Sequence, residues 1–457
     1  MATMSWQQLL NATRLGNRPS KSEPGRSPFI SDHDKIMFSN AFRRLARKTQ
    51  VHPLVRNDHV HNRLTHSLEV SCVGRSLAIR VAHVLREQNR LPAGIEAADL
   101  GDIVQATCLA HDIGNPPFGH TGEEAIRSWF RNTGHHFLND LTPAQAHDLK
   151  NFEGNAQGFR ILTSAEYHLY QGGMRMTYAA LSAFLKYPWT CAQLPKIVGA
   201  RRDKFGVFQS ELEYFREVAQ HTGLIEKSPD VYARHPLVYL MEAADDFCYG
   251  ILDLEDGLEM DILEWDTVFN LLKPVLTRAQ CAEFEVAAKH ASVSRKAALL
   301  RGKIIDAYIS AGVDAFMTHE EAMLNGAVEG DLISLCRDDV RESVTNAKSL
   351  ARQKIYNTSR KVELEIGAYD VIGILFDTIC KAVVHWVKQV PLDYKEARVL
   401  QLIGEDTFPP SLRDYKDPHE KVYLALMRVI DYISGMTDNY AMYLAKQFSG
   451  FGEPRDW

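Results

Sequence analysis

Apolar positions recur at helical spacing along most of the chain, and that pattern sets the first picture of the fold. From Asp32 to Lys48, Ile36, Phe38, Phe42 and Leu45 mark the buried face of an amphipathic helix, with Arg43, Arg44, Arg47 and Lys48 on its other faces. A break follows at Val51-His52-Pro53. A long helix is then expected from about Arg63 into the 80s. Another runs from about Ala97 to Ala110, stopped by Gly114 and the following Asn115-Pro116-Pro117. A fresh helix starts near His120 and passes Glu124, Ile126 and Trp129. Beyond it the periodicity predicts helices over 155–170, 175–186, 211–221, 235–254, 261–289, 296–325, 330–352, 360–388, 394–403 and 418–448. Residues 16–31, rich in Gly, Pro and Ser, read as a mobile entry arm, and 193–210 as a short hairpin or ordered loop. No repeat or low-complexity tract interrupts the pattern. The expected class is all-α with short irregular inserts: an N-terminal flexible arm (1–31), a core (32–256) and a helical C-terminal region (257–457).

Composition narrows this picture without redirecting it. The 457 residues are 45% hydrophobic and 24% charged, which excludes disordered, collagen-like and fibrous chains. A chain of this length buries a large core without disulfides or a structural metal. Lys and Arg total 52 against 58 Asp and Glu, a net charge of -6, so wholesale coating of nucleic acid is not indicated. A local basic patch for a nucleotide remains compatible with that balance. The seven cysteines are scattered with no CxxC, as in a reduced intracellular protein. The N-terminus lacks a cationic-then-apolar signal, and no apolar run approaches the ~18 residues needed to cross a bilayer. A cytoplasmic protein without membrane contact is expected. Of 18 histidines, 11 fall in the first 150 residues, and it is there that candidate chemistry concentrates.

Four segments carry that chemistry: RLTHSLEV with His66 and Glu69; LAHDIGNPPFGHTGEEAI with His111, Asp112, His120 and Glu123; NFEGNAQGFRIL; and LVYLMEAADDFCYGILDLED with Asp245. Imidazoles with carboxylates make a mixed nitrogen and oxygen donor set for a divalent ion such as Mn²⁺, Mg²⁺, Fe²⁺, Ni²⁺ or Zn²⁺, with no thiolate favouring soft metals. Adjacent His111 and Asp112 diverge by about 100° on an ideal helix, but both can turn to one point where the helix unwinds before Gly114. Taken singly, His66 reads equally well as a hydrogen-bonded core residue, and an HD dipeptide is common. His120 and Glu123, three apart, can face one site from a first helical turn, although an acid there also suits the helix dipole. Asp245, Tyr249 and Asp253 recur every four residues, so one side of their helix lines a polar cavity. Asp253 reads alternatively as part of a solvated acidic run. Arg63 sits one turn before His66 on the same face, and Arg63, Lys204 and Arg43 are candidate phosphate contacts, with ordinary surface cations as the alternative.

Together these segments, with FRRLARKTQV and DYISGMTDNYA, resemble the HD-domain phosphohydrolases and, within them, the dGTP triphosphohydrolase (dGTPase/dNTPase) family, from about residue 38 to residue 450. The ordered combination of HD, GNPPFGH and EAADD carries the resemblance; the HD pair alone is weak. The resemblance implies an HD-domain core, with His66, His111, Asp112 and Asp245 as ligands of one divalent metal ion and His120 with Glu123 as the catalytic pair. It implies substrate contacts from Gln50, Arg63, Tyr249 and Asp253, with Gln50 reading the 3′-hydroxyl and Tyr249 excluding a ribose 2′-hydroxyl; Lys204 is a further candidate for the phosphates. The implied reaction takes dGTP, or other dNTPs, to deoxynucleoside and inorganic triphosphate through attack of metal-bound water on the α-phosphate. Homo-oligomers from dimer to hexamer, and a nucleotide or single-stranded nucleic acid effector, are implied in the same way. The rival expectations are another HD hydrolase (a nucleotide phosphomonoesterase or cyclic-nucleotide phosphodiesterase), a sensing module with vestigial catalysis, and an all-α scaffold.

Overall fold

The computed structural model describes residues 3–21, 23–50, 61–166, 171–197, 203–356 and 359–452. Helices dominate it. In chain order they are α1 (Trp6–Leu9), α2 (Pro28–Met37), α3 (Asn40–Arg44), α4 (Arg63–Glu87), α5 (Ala97–Ala110), α6 (Gly119–Arg131), α7 (Pro143–Lys150), α8 (Gly154–Arg160), α9 (Tyr178–Phe184) and α10 (Leu212–Thr222). They continue as α11 (Pro236–Glu259), α12 (Trp265–Leu272), α13 (Arg278–Ala288), α14 (Val293–Leu324), α15 (Asp338–Lys354), α16 (Ser359–Val387), α17 (Tyr394–Ile403), α18 (Pro418–Ser434) and α19 (Asp438–Phe448). The all-α expectation holds. No described helix is long and apolar enough to cross a membrane.

Three expected helices are divided, each at a residue that serves the backbone better as a cap or break. The helix expected over 32–48 starts earlier, at Pro28, and ends at Met37; Ser39 then caps α3, its hydroxyl accepting from the Phe42 N–H while donating to the Ile36 carbonyl. The 261–289 stretch splits around a 3₁₀ turn at Lys273–Val275, with Thr277 capping α13. The 418–448 stretch splits at Gly435-Met436, and Thr437 caps α19. The expected hairpin at 193–210 is not where the strands lie. Cys191–Lys196 is a 3₁₀ turn, residues 198–202 lie outside the described residues, and the antiparallel strand pair is β1 (Glu226–Ser228) with β2 (Val231–Tyr232), turned through Asp230 at positive φ. The break at 51–53 also lies outside the described residues.

The N-terminal arm is another correction. Leu9 and Leu15 are fully buried, the Met4 N–H donates to the Leu324 carbonyl (2.9 Å), and the Trp6 indole donates to Glu320 (2.6 Å). Residues 4–15 thus pack onto the body, with Met4 and Trp6 bonded to the end of α14, while the stretch whose Gly, Pro and Ser content suggests mobility lies after them, at 16–31.

One core is built by α4, α5, α11, α14 and α15, and a second by α6, α7, α16, α18 and α19. The candidate chemistry sits where the two meet.

Candidate active site

Asn62 starts α4 with a reciprocal capping box to Thr65, which fixes the first turn and brings Arg63 and His66 inward. His111 is the cap at which α5 unwinds, and Asp245 lies in the middle of α11. Because α4, α5 and α11 pack on one another, the four candidate ligands converge. Donor atoms of His66, His111 and Asp112 lie within 4.8 Å of one another. Asp245 Oδ1 is 3.0 Å from His66 Nε2 and 3.5 Å from His111 Nε2.

The charge state of this group follows from its neighbours. His111 Nδ1 faces the Cys108 carbonyl at 2.6 Å, so Nε2 is left toward the cluster, buried and without a hydrogen-bond partner. Burial alone would raise the Asp112 carboxyl, but Arg63 above all, then His111 and His66, hold it well below the usual range. Asp245 is likewise held down against burial by His111, His66 and Lys186, whose ammonium lies 3.5 Å away. Two carboxylates held ionised and two imidazoles fit a divalent cation with nitrogen and oxygen preferences.

Beside this cluster opens a cavity of about 540 Å³. At its rim His120 is largely exposed, its Nδ1 2.9 Å from Glu123 Oε2, while Glu123 is buried. Burial tends to raise Glu123, yet His120, Lys204 and Arg127 together push it down. The segment FEGN supports this pair at close quarters. The Gly154 N–H donates to Glu123 Oε1 (2.8 Å), and a Cβ on Gly114 would stand 2.1 Å from the Gly154 carbonyl oxygen. Gly114 is therefore required for the two backbones to touch, while a Cβ on Gly154 would crowd the Asn115 and Glu123 side chains.

Of the expected substrate contacts, Gln50, Arg63, Lys204 and Tyr249 line the cavity. The Gln50 amide donates to the Tyr249 hydroxyl (2.7 Å), and the Tyr249 ring lies 4.8 Å from that of His66. Asp253 is not in the lining. It is buried, its carboxylate accepts the Tyr356 hydroxyl, and Tyr356 faces the cavity instead. Arg43 is exposed on α3 and also outside the lining. Asp246 lines the wall paired with Lys348.

Sequence reasoning missed Lys186 and Tyr187, and the C-terminal wall of Lys348, Arg352, Tyr356 and Lys361. A lysine closing the wholly buried run 178–185 was the one available signal for Lys186. Asp438, at the start of α19, was missed too. It accepts from the Thr49 N–H (3.0 Å), the Thr49 hydroxyl and the Phe118 N–H (3.0 Å), clasping both edges of the cavity.

Comparison with known proteins agrees with this geometry. The HD domain model matches residues 63–176, and the phosphohydrolase-associated domain model matches residues 335–447. A deoxyguanosinetriphosphate triphosphohydrolase-like protein of Pseudomonas aeruginosa is 47% identical across 99% of this chain and 100% of its own length. A protein so named from Synechocystis is 39% identical across 98% of this chain and 99% of its own. A deoxyguanosinetriphosphate triphosphohydrolase of Cronobacter sakazakii is 30% identical across 90% of this chain and 92% of its own. Likeness over essentially the whole length, with both family segments in place, identifies this metal-dependent hydrolase as a member of the deoxyguanosinetriphosphate triphosphohydrolase-like family of HD-domain proteins.

Proposed function

We propose that the protein hydrolyses dGTP, and other deoxynucleoside triphosphates, to the deoxynucleoside and inorganic triphosphate. The observation that carries the reading is the meeting of His66, His111, Asp112 and Asp245 beside a cation-lined cavity whose rim bears the His120–Glu123 pair. His66, His111, Asp112 and Asp245 would hold one divalent ion of the Mn, Mg, Fe, Ni or Zn type. Bound there, such an ion supplies Lewis-acid charge at the α-phosphate and lowers the pKa of water.

The chain's own groups account for the rest. Arg63, Lys186 and Lys204 surround the cavity floor and suit the β- and γ-phosphates. As the bond from the α-phosphorus to O5′ breaks, the departing oxygen needs a proton. In this reading His120 gives it from Nε2, with Nδ1 facing Glu123 at 2.9 Å. Gln50 and Tyr249, hydrogen-bonded to each other in the cavity lining, would face the sugar in this reading, with the Tyr249 ring excluding a 2′-hydroxyl.

The test is a panel of the four dNTPs and GTP, alone and in pairs, with Mn²⁺ or Mg²⁺, with products separated by ion exchange. Inorganic triphosphate from at least one dNTP, and little from GTP, is expected. Release of only orthophosphate or pyrophosphate would replace this reading with a different HD hydrolase. Pairs of nucleotides test activation by an effector in the same run.

A further inference from the structure

Glu153 occupies the N-cap position of α8, where an acidic side chain ordinarily accepts a backbone N–H of the first turn. It makes no such bond. Its carboxylate, 1% exposed, is turned instead toward the cavity wall. There it accepts from Lys204 Nζ at 2.9 and 3.2 Å, from Arg127 Nη2 at 3.2 Å and from the Asn155 amide at 2.7 Å. The capping duty has passed to Glu123, which takes the Gly154 N–H. Arg127 lies between the two acids, with its Nη2 3.9 Å from Glu123 Oε2 and its Nε donating to the Phe152 carbonyl (2.7 Å).

Two buried carboxylates thus share two cations, and each acid has one functional neighbour: Lys204 for Glu153, His120 for Glu123. Lys204 has a flexible four-carbon stem and a third of its side chain exposed. Among the described residues, the hydrogen bonds of its ammonium go to Glu153. Arg127 is drawn to Glu153 more closely than to Glu123, which leaves Glu123 Oε2 for the imidazole.

We propose that Glu153 is a positioning residue that serves both ends of the reaction: it aims Lys204 at the phosphates and draws Arg127 off Glu123 so that Glu123 can orient His120. The proposal rests on reading the cavity as a triphosphate site. It assigns a task to the FEGN segment that neither packing nor helix capping requires.

The test compares Glu153→Gln, Glu153→Asp, Lys204→Ala and the double variant Glu153→Gln/Lys204→Ala in the full-length protein with Mn²⁺. Loss of one charge-assisted hydrogen bond corresponds to a change of about tenfold. Lys204→Ala is expected to raise KM for dGTP by about that factor with kcat nearly kept. Glu153→Gln is expected to raise KM similarly and also to lower kcat about tenfold, because Arg127 then competes for Glu123. Glu153→Asp should recover part of both. Calorimetric binding of inorganic tripolyphosphate supplies the readout that needs no turnover: Glu153→Gln and Lys204→Ala weaken it, and the double variant is no weaker than the poorer single one. Losses that multiply in the double variant, or an unchanged kcat in Glu153→Gln, overturn the proposal. Should Glu153→Gln fail to fold, the same cycle with Glu153→Asp and Lys204→Arg decides by the same criterion. A wild type that binds tripolyphosphate yet releases none from any dNTP refutes the functional reading, while the binding cycle still decides whether Glu153 governs Lys204.

Discussion

His111 illustrates how little freedom the donor residues have. One ring nitrogen is tied to the Cys108 carbonyl, and the other is buried without a hydrogen bond and faces Asp245 at 3.5 Å, as suits a donor awaiting a cation. Asp112 is similarly committed, with Arg63 on Oδ2 and the Asn115 amide on Oδ1. His66→Ala or Asp112→Ala should therefore abolish triphosphate release and lower bound metal, as read by elemental analysis of the purified protein. Full activity of either variant in metal-free buffer would reject the ligand assignment. Asp112→Ala should also lose about 3–5 kcal/mol of stability in chemical denaturation, because buried Arg63 loses its counter-charge. The donor set was legible only through the ordered motifs of the resemblance, since His66 and the HD pair taken singly read equally well as ordinary residues. Lys348 could not be read at all, since a cation that turns inward is spelled the same as one that turns to water. Asp253 went the other way: its spacing puts it on the correct helix face, but Tyr356, more than 100 residues later, covers it.

Among elements, the helices with strong periodicity and clear ends were legible, as in α4, α5 and α17, whereas divisions depended on caps that apolar spacing hides. Ser39 and Thr437 look like helix residues until the backbone beside them turns. The contact between the loop after α5 and the start of α8 is a tight joint near the site. Gly114→Ala should cost about 1–3 kcal/mol or more, since the added carbon meets backbone rather than a movable side chain; loss of stability together with turnover is the expected result. At another joint, Asp148 on α7 accepts from the Gln209 N–H and the Tyr423 hydroxyl on α18, both at 2.6 Å. Burial pushes its carboxyl up to about 8, despite those hydrogen bonds. A carboxyl whose folded pKa is raised makes the fold lose stability as pH climbs from the unfolded value, near 3.8, to about 8. Asp148→Asn removes that loss, so its melting temperature relative to wild type should rise between pH 5 and pH 8 and level off above; a difference independent of pH would contradict the assignment.

Across the whole molecule, the cavity gathers residues from Thr49 to Glu365, so neither half of the chain owns it. Its cations come already matched with acids: Arg63 with Asp112, Lys186 with Asp245, Lys204 with Glu153, and Lys348 with Asp246. An empty cavity of that kind has little net pull on stray anions, and selectivity falls to geometry. Lys348→Ala, on α15 and far in sequence from the donor residues, should raise KM for a dNTP several-fold while bound metal is unchanged; an unaltered KM would show that this wall is only structural.

The grip of Asp438 on Thr49 and Phe118 spans 389 and 320 positions of the chain. During synthesis, the donor residues leave the ribosome long before the carboxylate that closes the pocket over them is made. A truncated polypeptide ending before α19 would carry every residue of the donor set and still present an open, unclasped groove. The pocket thus depends on a segment translated long after its donors.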